Sequence, residues 1–492
     1  MSGFFIISVI AIYFCILLLI GYLTSRGAKN DTFFIGNRSS KWYLVSFGMI
    51  GASLSGITFI SVPGMVGGEG FTYMQMVIGY MAGYAVIAFV LLPLYYRLNL
   101  TSIYSYLGQR YGSITHQVGA GFFLLSRVLG AAVRLFLVAD VLHFFVLKEF
   151  NISFEIAVII TLVMIYVYTY RGGIKTIVWT DTLQTTFMLL ALGVSVYLIY
   201  QELGVNSAEE GLKGLGMVNW FATSDPSVSN YWLKGLAGGF FITLAMTGLD
   251  QDMMQKNLTC KNASEAKKNM IWFSVILFAV NFVFLLLGGL LLLYLNQSPE
   301  LLAEFNAMEE SKRLDRLFPL IALKGGLGQF IGITFLLGLI AAAYSSADSA
   351  LTSLTTSMSV DIFKLDKWRE QKKAERYRKY IHIGITVILF IVILLANEYK
   401  ESNVINTLFQ MAGYTYGPLL GLFFFGITSK RKVDDRYAWF VCLLIPSILL
   451  LYKTYESDLF IHYKTGHELL GINGLLCYLG IWGISYIKPK RG

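Results

Sequence analysis

The sequence predicts an all-α, polytopic membrane protein, and two observations support this fold class. Of its 492 residues, 56% are hydrophobic and only 14% are charged, a balance that soluble globular domains do not have. Apolar runs of about 18 to 25 residues, long enough to cross a bilayer as helices, recur along the whole chain. No polar stretch is long enough to fold alone, so we expect one integral membrane domain over residues 1–492.

The apolar runs predict about thirteen transmembrane helices. In chain order they are 4–25, 42–66, 73–97, 118–146, 153–170, 178–200, 232–254, 270–295, 325–362, 380–397, 403–428, 437–453 and 469–487. The first one starts close to the N-terminus and lacks a small-residue cleavage site after it. We therefore interpret it as a retained helix, with a cleaved signal peptide as the alternative.

Every second connection between these segments is basic. Loop 363–379 alone carries eight lysines and arginines. The other basic connections are 26–41, 98–117, 171–177, 255–269, 429–436 and the C-terminal tail. The positive-inside rule places these connections in the cytoplasm, with the N-terminus outside and the C-terminus inside. This arrangement needs an odd number of spans, and it explains the net charge of +9 without nucleic acid.

Motifs for enzymes and metal centres are missing from the sequence. The five histidines are dispersed, and no HExxH motif, phosphate-binding glycine loop or nucleophile elbow occurs. The four cysteines have neither metal-ligand spacing nor the pattern of a disulfide framework; they are Cys15, Cys260, Cys442 and Cys477. We therefore expect a protein that is not an enzyme.

Two of the apolar segments contain helix-breaking stretches. "MIGASLSGITFISVPG" (Met49–Gly64) combines glycines, serines and a proline, and "LAMTGLDQDMMQKN" (Leu244–Asn257) loses its apolar character halfway. Interrupted helices at matching places in two halves indicate an inverted-repeat transporter with its binding site at the breaks. From the spacing we predict a leading helix at 4–25, repeat one at 42–200, repeat two at 232–428 and C-terminal helices at 437–487.

A ladder of hydroxyl residues follows in "GLIAAAYSSADSALTSLTTSMSVDIF", and one acid, Asp348, stands within the ladder. Small residues in spanning helices often serve only to let helices pack closely. An unpaired carboxylate in the membrane, however, costs about 2.5–3.5 kcal/mol, so Asp348 must be paired, protonated or bound to a cation. Four residues lie on one helical face, at i, i+3, i+4 and i+7: Ala342, Ser345, Ser346 and Ser349.

Hydroxyls, a carboxylate and the free carbonyls of an unwound helix are the oxygen ligands that a hard monovalent cation prefers. The stretch Gly51–Leu54 at the first break can supply such carbonyls. A second acid, Asp181, stands at the start of a segment after "YRGGIKTIVWT". Its alternatives are an interfacial position or, with Thr180, a role as a helix cap.

Four stretches together resemble the sodium:solute symporter family. They are "YRGGIKTIVWTDTLQ", "AAAYSSADSALTSLTTSMSVDIF", "GASLSGITFISVPG" and "GPLLGLFFFGITSKR", and the likeness extends from about Phe4 to near Lys432. The resemblance implies a fold like that of the leucine transporter, a five-plus-five inverted repeat with extra helices at both ends. It also implies sodium-coupled symport, as in bacterial sodium/sugar and sodium/sialic acid symporters.

The resemblance further implies where sodium binds. The first sodium site would use the carbonyls of Gly51, Leu54 and Ala342 and the hydroxyls of Ser345 and Ser346. A second site, known in some members that resemble the sialic acid symporter, would use Asp181, Ser345, Asp348 and Ser349. This chain departs from the pattern because Asp348 stands where a hydroxyl residue is usual. Its carboxylate could strengthen sodium binding or carry a proton instead.

The solute site is expected at the two breaks, where hydroxyls, amides and an aromatic ring suit a sugar-like polyol. The candidates are Ser53, Ser55, Thr58, Tyr73, Gln75, Thr247, Gln251 and Gln410. Near them, Arg134 could hold a substrate carboxylate or pair with Asp140. Asp250 and Asp252 could form a gate on the cytoplasmic side, cap a helix or contact substrate.

The resulting hypothesis is sodium-coupled secondary active symport of a small polar solute, a sugar or a sugar acid such as sialic acid, across the inner (plasma) membrane. Its partners would be sodium, the solute and the lipid bilayer, with no nucleic acid. The alternatives are a transporter-like membrane sensor and a proton-coupled symporter of an organic acid or amino acid. The absence of an output domain after "YIKPKRG" disfavours the sensor.

Overall fold

The computed structural model describes residues 3–25, 30–145, 147–223, 225–398, 404–455 and 465–487. Over these residues the chain is α-helical, and the only β-type pairing is an isolated backbone bridge between Ser40 and Cys260. The principal helices are α1 Gly3–Thr24, α2 Trp42–Ser53, α3 Gly56–Glu69, α4 Tyr73–Arg97, α5 Ser113–Phe145, α6 Phe154–Gly172, α7 Ile174–Leu203, α8 Trp232–Gly248, α9 Gln251–Asn257, α10 Ala263–Gln297, α11 Gln329–Ile362, α12 Gln371–Glu398, α13 Val404–Thr415, α14 Gly417–Thr428, α15 Asp435–Thr454 and α16 Leu469–Ile484.

Short helices lie in the connections between the principal ones. Their bounds are Asn30–Ile35, Ser105–Arg110, Val205–Gly214, Pro299–Asn306, Glu310–Arg313 and Leu317–Lys324. The polar connections at 201–231 and 296–324 therefore contain amphipathic helices that pack on the bundle rather than forming separate domains.

Both predicted helix breaks are confirmed. Helices α2 and α3 form one bent span with an angle of 59° between them, and α8 and α9 form another with an angle of 67°. At the first break Ser55 leaves the helical region of backbone conformation. At the second break a π-helical turn at Leu244–Gly248 precedes Asp250, whose backbone is extended.

Each of the thirteen predicted segments corresponds to a helix or a pair of helices. By length and composition, seven described helices can cross a membrane alone, and nine can if each bent pair is one span. Four shorter apolar helices, in α1, α6, α14 and α16, account for the remaining predicted segments. The described chain is thus a multi-pass membrane protein.

Helix α11 is the centre of the bundle. Of its most apolar stretch 83% is buried, against 22% for α12, and α11 packs along α7 and against α2, α3 and α5. Within the described residues its hydroxyl ladder therefore faces protein on all sides rather than lipid. The bundle also contains the pair α4 and α8 and the pair α14 and α16, each packed side by side.

One boundary prediction was wrong in a way that matters for the site. The sequence assigned Lys256 to a basic loop at 255–269, but Lys256 lies on α9 with its side chain 1% exposed. Helix α9 continues to Asn257 because Asp250 caps it, accepting a hydrogen bond from the backbone N–H of Asp252 at 2.8 Å.

Candidate functional site

The first break lies between α2 and α3, and both helices pack against α11, which carries the other expected ligands of the first sodium site. The last helical hydrogen bond at the end of α2 runs from Leu54 N to Ile50 O, and the backbone N–H of Gly51 donates to Thr185 Oγ1. In the described chain no backbone N–H is hydrogen-bonded to the carbonyl of Gly51 or of Leu54, so these two carbonyls can accept from a cation.

The hydroxyl of Ser346 is an independent sign of a missing ligand. Its side chain is 2% exposed, and its Oγ has no hydrogen-bond partner among the described residues. A buried hydroxyl without a partner costs free energy unless a ligand satisfies it. Ala342 and Ser345 are also fully buried on α11. The donor set of two hydroxyls and three carbonyls fits sodium, although its role as a sodium site remains a prediction.

The residues of the expected second sodium site also lie together, around two buried carboxylates. Ser345 Oγ donates to Asp181 Oδ1 at 2.7 Å, and Tyr168 donates its hydroxyl to Asp348 Oδ2 at 2.8 Å. Ser349 Oγ donates to the other oxygen of Asp348 at 3.3 Å. The carboxylate of Asp348, which stands among serines in the sequence, is therefore hydrogen-bonded by a phenol and a hydroxyl.

Asp181 is not a helix cap. Helix α7 begins at Ile174, seven residues before it, and Gly173 adopts a positive φ of 53° at the helix boundary. Asp181 is therefore about two turns inside the helix, and its side chain is fully buried. The amide of Gln184 is satisfied when its nitrogen faces Asp181. In this orientation the nitrogen donates to Asp181 Oδ1 at 3.2 Å.

Sequence reasoning missed the ammonium of Lys256 in this cluster. Its Nζ lies 2.7 Å from Asp181 Oδ2 in a fully buried ion pair. Counting Lys256 as a loop residue hid this contact. The acidic cap at Asp250 followed by six residues of helix-compatible sequence was the signal that could have placed it on a helix.

A cavity opens between the two breaks. The space free of protein atoms is about 720 Å³, including the open solvent at its mouth. Five of the eight predicted solute-binding residues line it: Ser53, Ser55, Thr58, Tyr73 and Thr247. Both broken spans thus contribute hydroxyls to one cavity.

The three predicted glutamines do not line this cavity. Gln75 donates to Asn230 O at 2.7 Å and accepts from the backbone N–H of Ala222, which ties α4 to the connection before α8. Gln251 uses both ends of its amide on the backbone of Thr101 and Ile103. Gln410 is exposed, whereas the two residues before it, Leu408 and Phe409, line the cavity.

Several other lining residues were not among the solute-site candidates. Tyr80 and Tyr84 join Tyr73 on one face of α4, and the hydroxyls of Tyr73 and Tyr80 are 3.1 Å apart. Their spacing of seven and eleven residues from Tyr73 is helical and was visible in the sequence. Asn281 of α10 adds an amide, and α5 adds the guanidinium groups of Arg127 and Arg134.

The two arginines of α5 have different surroundings. Arg127 is 4% exposed and forms an ion pair with Asp252, while its Nη1 lies 3.8 Å from Asp250 Oδ2. The hydroxyl of Tyr416 donates to the same carboxylate of Asp250. Asp250 therefore caps a helix, as one alternative held, and Asp252 is occupied by Arg127.

The suggested pair between Arg134 and Asp140 was wrong. Asp140 instead pairs with Arg316, at 3.0 Å, and lies 3.6 Å from Lys312. Asp140 lies near the end of α5, where it meets the helices of the 296–324 connection, whereas Arg134 points into the cavity. In the described part of the chain no carboxylate lies within ion-pair distance of Arg134, and its Nε has no hydrogen-bond partner.

Two broken helices with a polar cavity between the breaks, and free carbonyls and a buried hydroxyl close to one break, are typical of ion-coupled secondary transporters. The model of the sodium:solute symporter family matches residues 33–436, and the chain belongs to that family. This confirms the resemblance inferred from the sequence.

Named relatives and a solved structure agree with this assignment. The sodium/sialic acid symporter NanT of Aliivibrio fischeri is 26% identical, over 94% of this chain and 91% of its own length. The sodium/sialic acid symporter SiaT of Proteus mirabilis is 25% identical, over 93% of this chain and 91% of its own. The substrate-bound, outward-open structure of a Na⁺-coupled sialic acid symporter superposes with a TM-score of 0.82, at 20% identity over 98% of both chains, which confirms the predicted fold.

Proposed function

We propose that this protein couples the entry of sodium to the uptake of a small acidic sugar, such as sialic acid, by alternating access to the cavity between the breaks. Sodium is the coupling ion of the family to which the chain belongs. The observation that supports an acidic solute is Arg134, a cavity-lining guanidinium without a carboxylate partner in the described chain. A guanidinium binds a carboxylate through two parallel hydrogen bonds.

The remaining lining suits the rest of such a solute. Ser53, Ser55, Thr58 and Thr247 present hydroxyls to its polar groups, and the phenols on α4 add donors and an aromatic surface. Two relatives that this chain resembles over nearly their full length are named as sodium/sialic acid symporters, which favours the same class of solute.

The proposed membrane orientation follows from charge. The basic connections, above all 363–379, lie in the cytoplasm, so the N-terminus is outside and the C-terminus inside the inner membrane. The two proposed repeats, 42–200 and 232–428, then have opposite orientations. Reaction of a cysteine placed at Arg369 with an impermeant maleimide from outside intact cells would contradict this orientation.

The experiment that tests the function is uptake of labelled N-acetylneuraminate into proteoliposomes under an inward sodium gradient. Uptake should stop when the gradient is removed. Arg134→Met should raise the half-saturating concentration of N-acetylneuraminate by about 30-fold or more. The reason is that losing one partner of a buried charge pair costs about 2–5 kcal/mol. Arg134→Lys should retain part of the affinity because it keeps the charge.

A matched ligand makes this test specific. The methyl ester of the sugar acid lacks the negative charge, so it should bind the parent protein weakly and should lose nothing more in Arg134→Met. An equal loss for acid and ester would remove Arg134 from carboxylate recognition. Uptake that ignores sodium and follows a pH gradient would replace the proposal with proton-coupled symport.

A further inference from the structure

A buried ammonium group belongs to the cluster where the second sodium is expected. Lys256 Nζ and Asp181 Oδ2 lie 2.7 Å apart, and both side chains are 1% exposed. In the described chain neither atom has a hydrogen-bond partner, so the contact between them is an ion pair. A buried lysine stays charged only when a counter-ion stabilises it. The ammonium therefore occupies a position beside Asp181 that a bound cation would otherwise take.

The two expected sodium sites differ in what the protein itself supplies. At the first, the Ser346 hydroxyl is buried without a partner. At the second, Asp181 is occupied by Ser345 and Lys256, and Asp348 by Tyr168 and Ser349. At the first site a buried hydroxyl is left without a protein partner, whereas at the second site groups of this chain contact both carboxylates.

We propose that the ammonium of Lys256 takes the place of the second sodium ion, so that the transporter couples one sodium ion to each solute molecule. This inference rests on the proposed sodium-coupled symport. It assigns to Lys256 the part that a free ion would play at Asp181, Asp348, Ser345 and Ser349. It also gives the departure at Asp348 a reason, since an added acid accompanies an added base.

The charges of the cluster favour a single ion. When both carboxyl groups are ionised, Asp181 and Asp348 carry two negative charges against the one positive charge of Lys256, and all three side chains are fully buried. One sodium at the first site, which shares Ser345 with the second, balances the remaining charge. A second sodium would leave an uncompensated positive charge in a region of low dielectric constant, where charges are costly.

The number of ions sets a measurable limit on accumulation. With no membrane potential and an electrically shunted vesicle, a tenfold sodium gradient supports a tenfold solute gradient when one ion is coupled and a hundredfold gradient when two are. With the parent protein in proteoliposomes, we therefore expect net flux of labelled N-acetylneuraminate to be zero when its inside-to-outside concentration ratio is near ten. A ratio near one hundred would overturn the proposal without affecting symport itself.

Removing the ammonium should admit the second ion. Lys256→Met leaves Asp181 and Asp348 with two uncompensated charges, so purified protein should bind two ²²Na⁺ ions instead of one. Lys256→Arg keeps the positive charge and should stay at one. Asp181→Asn combined with Lys256→Met should return to one. Lys268→Met, which removes an exposed lysine of α10, is the matched control and should also stay at one.

The binding measurement keeps the test decisive when a variant does not transport. Two sodium ions bound by the parent protein, or one bound by folded Lys256→Met, would refute the substitution of sodium by lysine. The absence of sodium-dependent uptake of every sugar acid by the parent protein would refute the proposed function instead, while the count of bound sodium would still report on Lys256.

Discussion

The ion pair between Arg127 and Asp252 links the cavity-lining helix α5 to α9, the second half of the second broken span. Arg127 belongs to α5 and lines the cavity, and Asp252 lies in the first turn of α9. In the proposed orientation this pair closes the cavity on its cytoplasmic side. Asp252→Asn should therefore favour conformations in which α9 has moved away from α5.

The magnitude follows from burial. The side chains of Arg127 and Asp252 are 4% and 1% exposed, and removing one partner of a buried pair costs about 3–5 kcal/mol. Asp250, 3.8 Å from the guanidinium, retains part of the compensation, so we take the lower end. About 3 kcal/mol corresponds to a change of more than about 100-fold in the equilibrium between closed and open α9.

The assay uses a cysteine at Met254, which is on α9 and fully buried, in a background without native cysteines. In inside-out vesicles, labelling by an impermeant maleimide should speed up strongly in Asp252→Asn. Arg127→Met should have a similar effect. The double variant removes both charges of the pair, so it should be labelled at a rate closer to the parent than either single variant.

Two results would refute this reasoning. Unchanged labelling in Asp252→Asn would show that the pair does not hold α9. Effects that simply add in the double variant would show that the two residues act independently, because residues in direct contact give coupling energies of about 0.5–3 kcal/mol.

Two further predictions concern the expected first sodium site and the 296–324 connection. Ser346→Ala should raise the half-saturating sodium concentration by about 10-fold or more, since a hydrogen-bonding group that contacts a charged group contributes about 1.5–3 kcal/mol. Ser353→Ala on the same helix is the control and should leave that concentration unchanged. Equal sodium dependence in the two variants would exclude Ser346 as a ligand. Burial and the nearby Asp140 raise the pKa of Asp315, in the 296–324 connection, from 3.8 to about 6, with Arg316 opposing. The folded state therefore binds the proton more tightly than the unfolded state, so the free energy of unfolding falls as pH rises from about 4 to 6 and is lowered in full above 6. Asp315→Asn should raise the melting temperature at pH 7.5 and have no effect near pH 4. An equal shift of the melting temperature at both pH values would contradict this linkage.

The sequence predicted most of the fold because membrane helices are specified by composition. Thirteen apolar segments, the two breaks and the placement of the hydroxyl ladder inside the bundle could all be inferred from runs, glycines and hydroxyls. In a bilayer each helix satisfies its own backbone, so local sequence determines the spans.

The candidate site was less predictable because it depends on side-chain partners from distant segments. Serines and threonines at the breaks line the cavity, since the breaks themselves position them. The glutamines do not, because Gln75 and Gln251 satisfy backbone groups 150 or so residues away. Lys256 and Asp181 are separated by α8 and a long connection, and no local pattern shows that they meet.

Helix α9 explains how ion, solute and gate can depend on one another. It has only seven residues and is separated from α8 by the break, yet Asp250, Asp252 and Lys256 contact three different partners: Tyr416, Arg127 of α5 and Asp181 of α7. Each contact is buried. Movement of α9 away from its neighbours would break these contacts, and breaking a buried ion pair costs several kcal/mol. Arg127 borders the solute cavity, and Asp181 is hydrogen-bonded to Ser345 of the expected sodium site. Occupation of both sites therefore acts on two of the three contacts, and occupation of one acts on a single contact. We therefore expect α9 to move more readily when sodium and solute are both bound than when only one of them is bound.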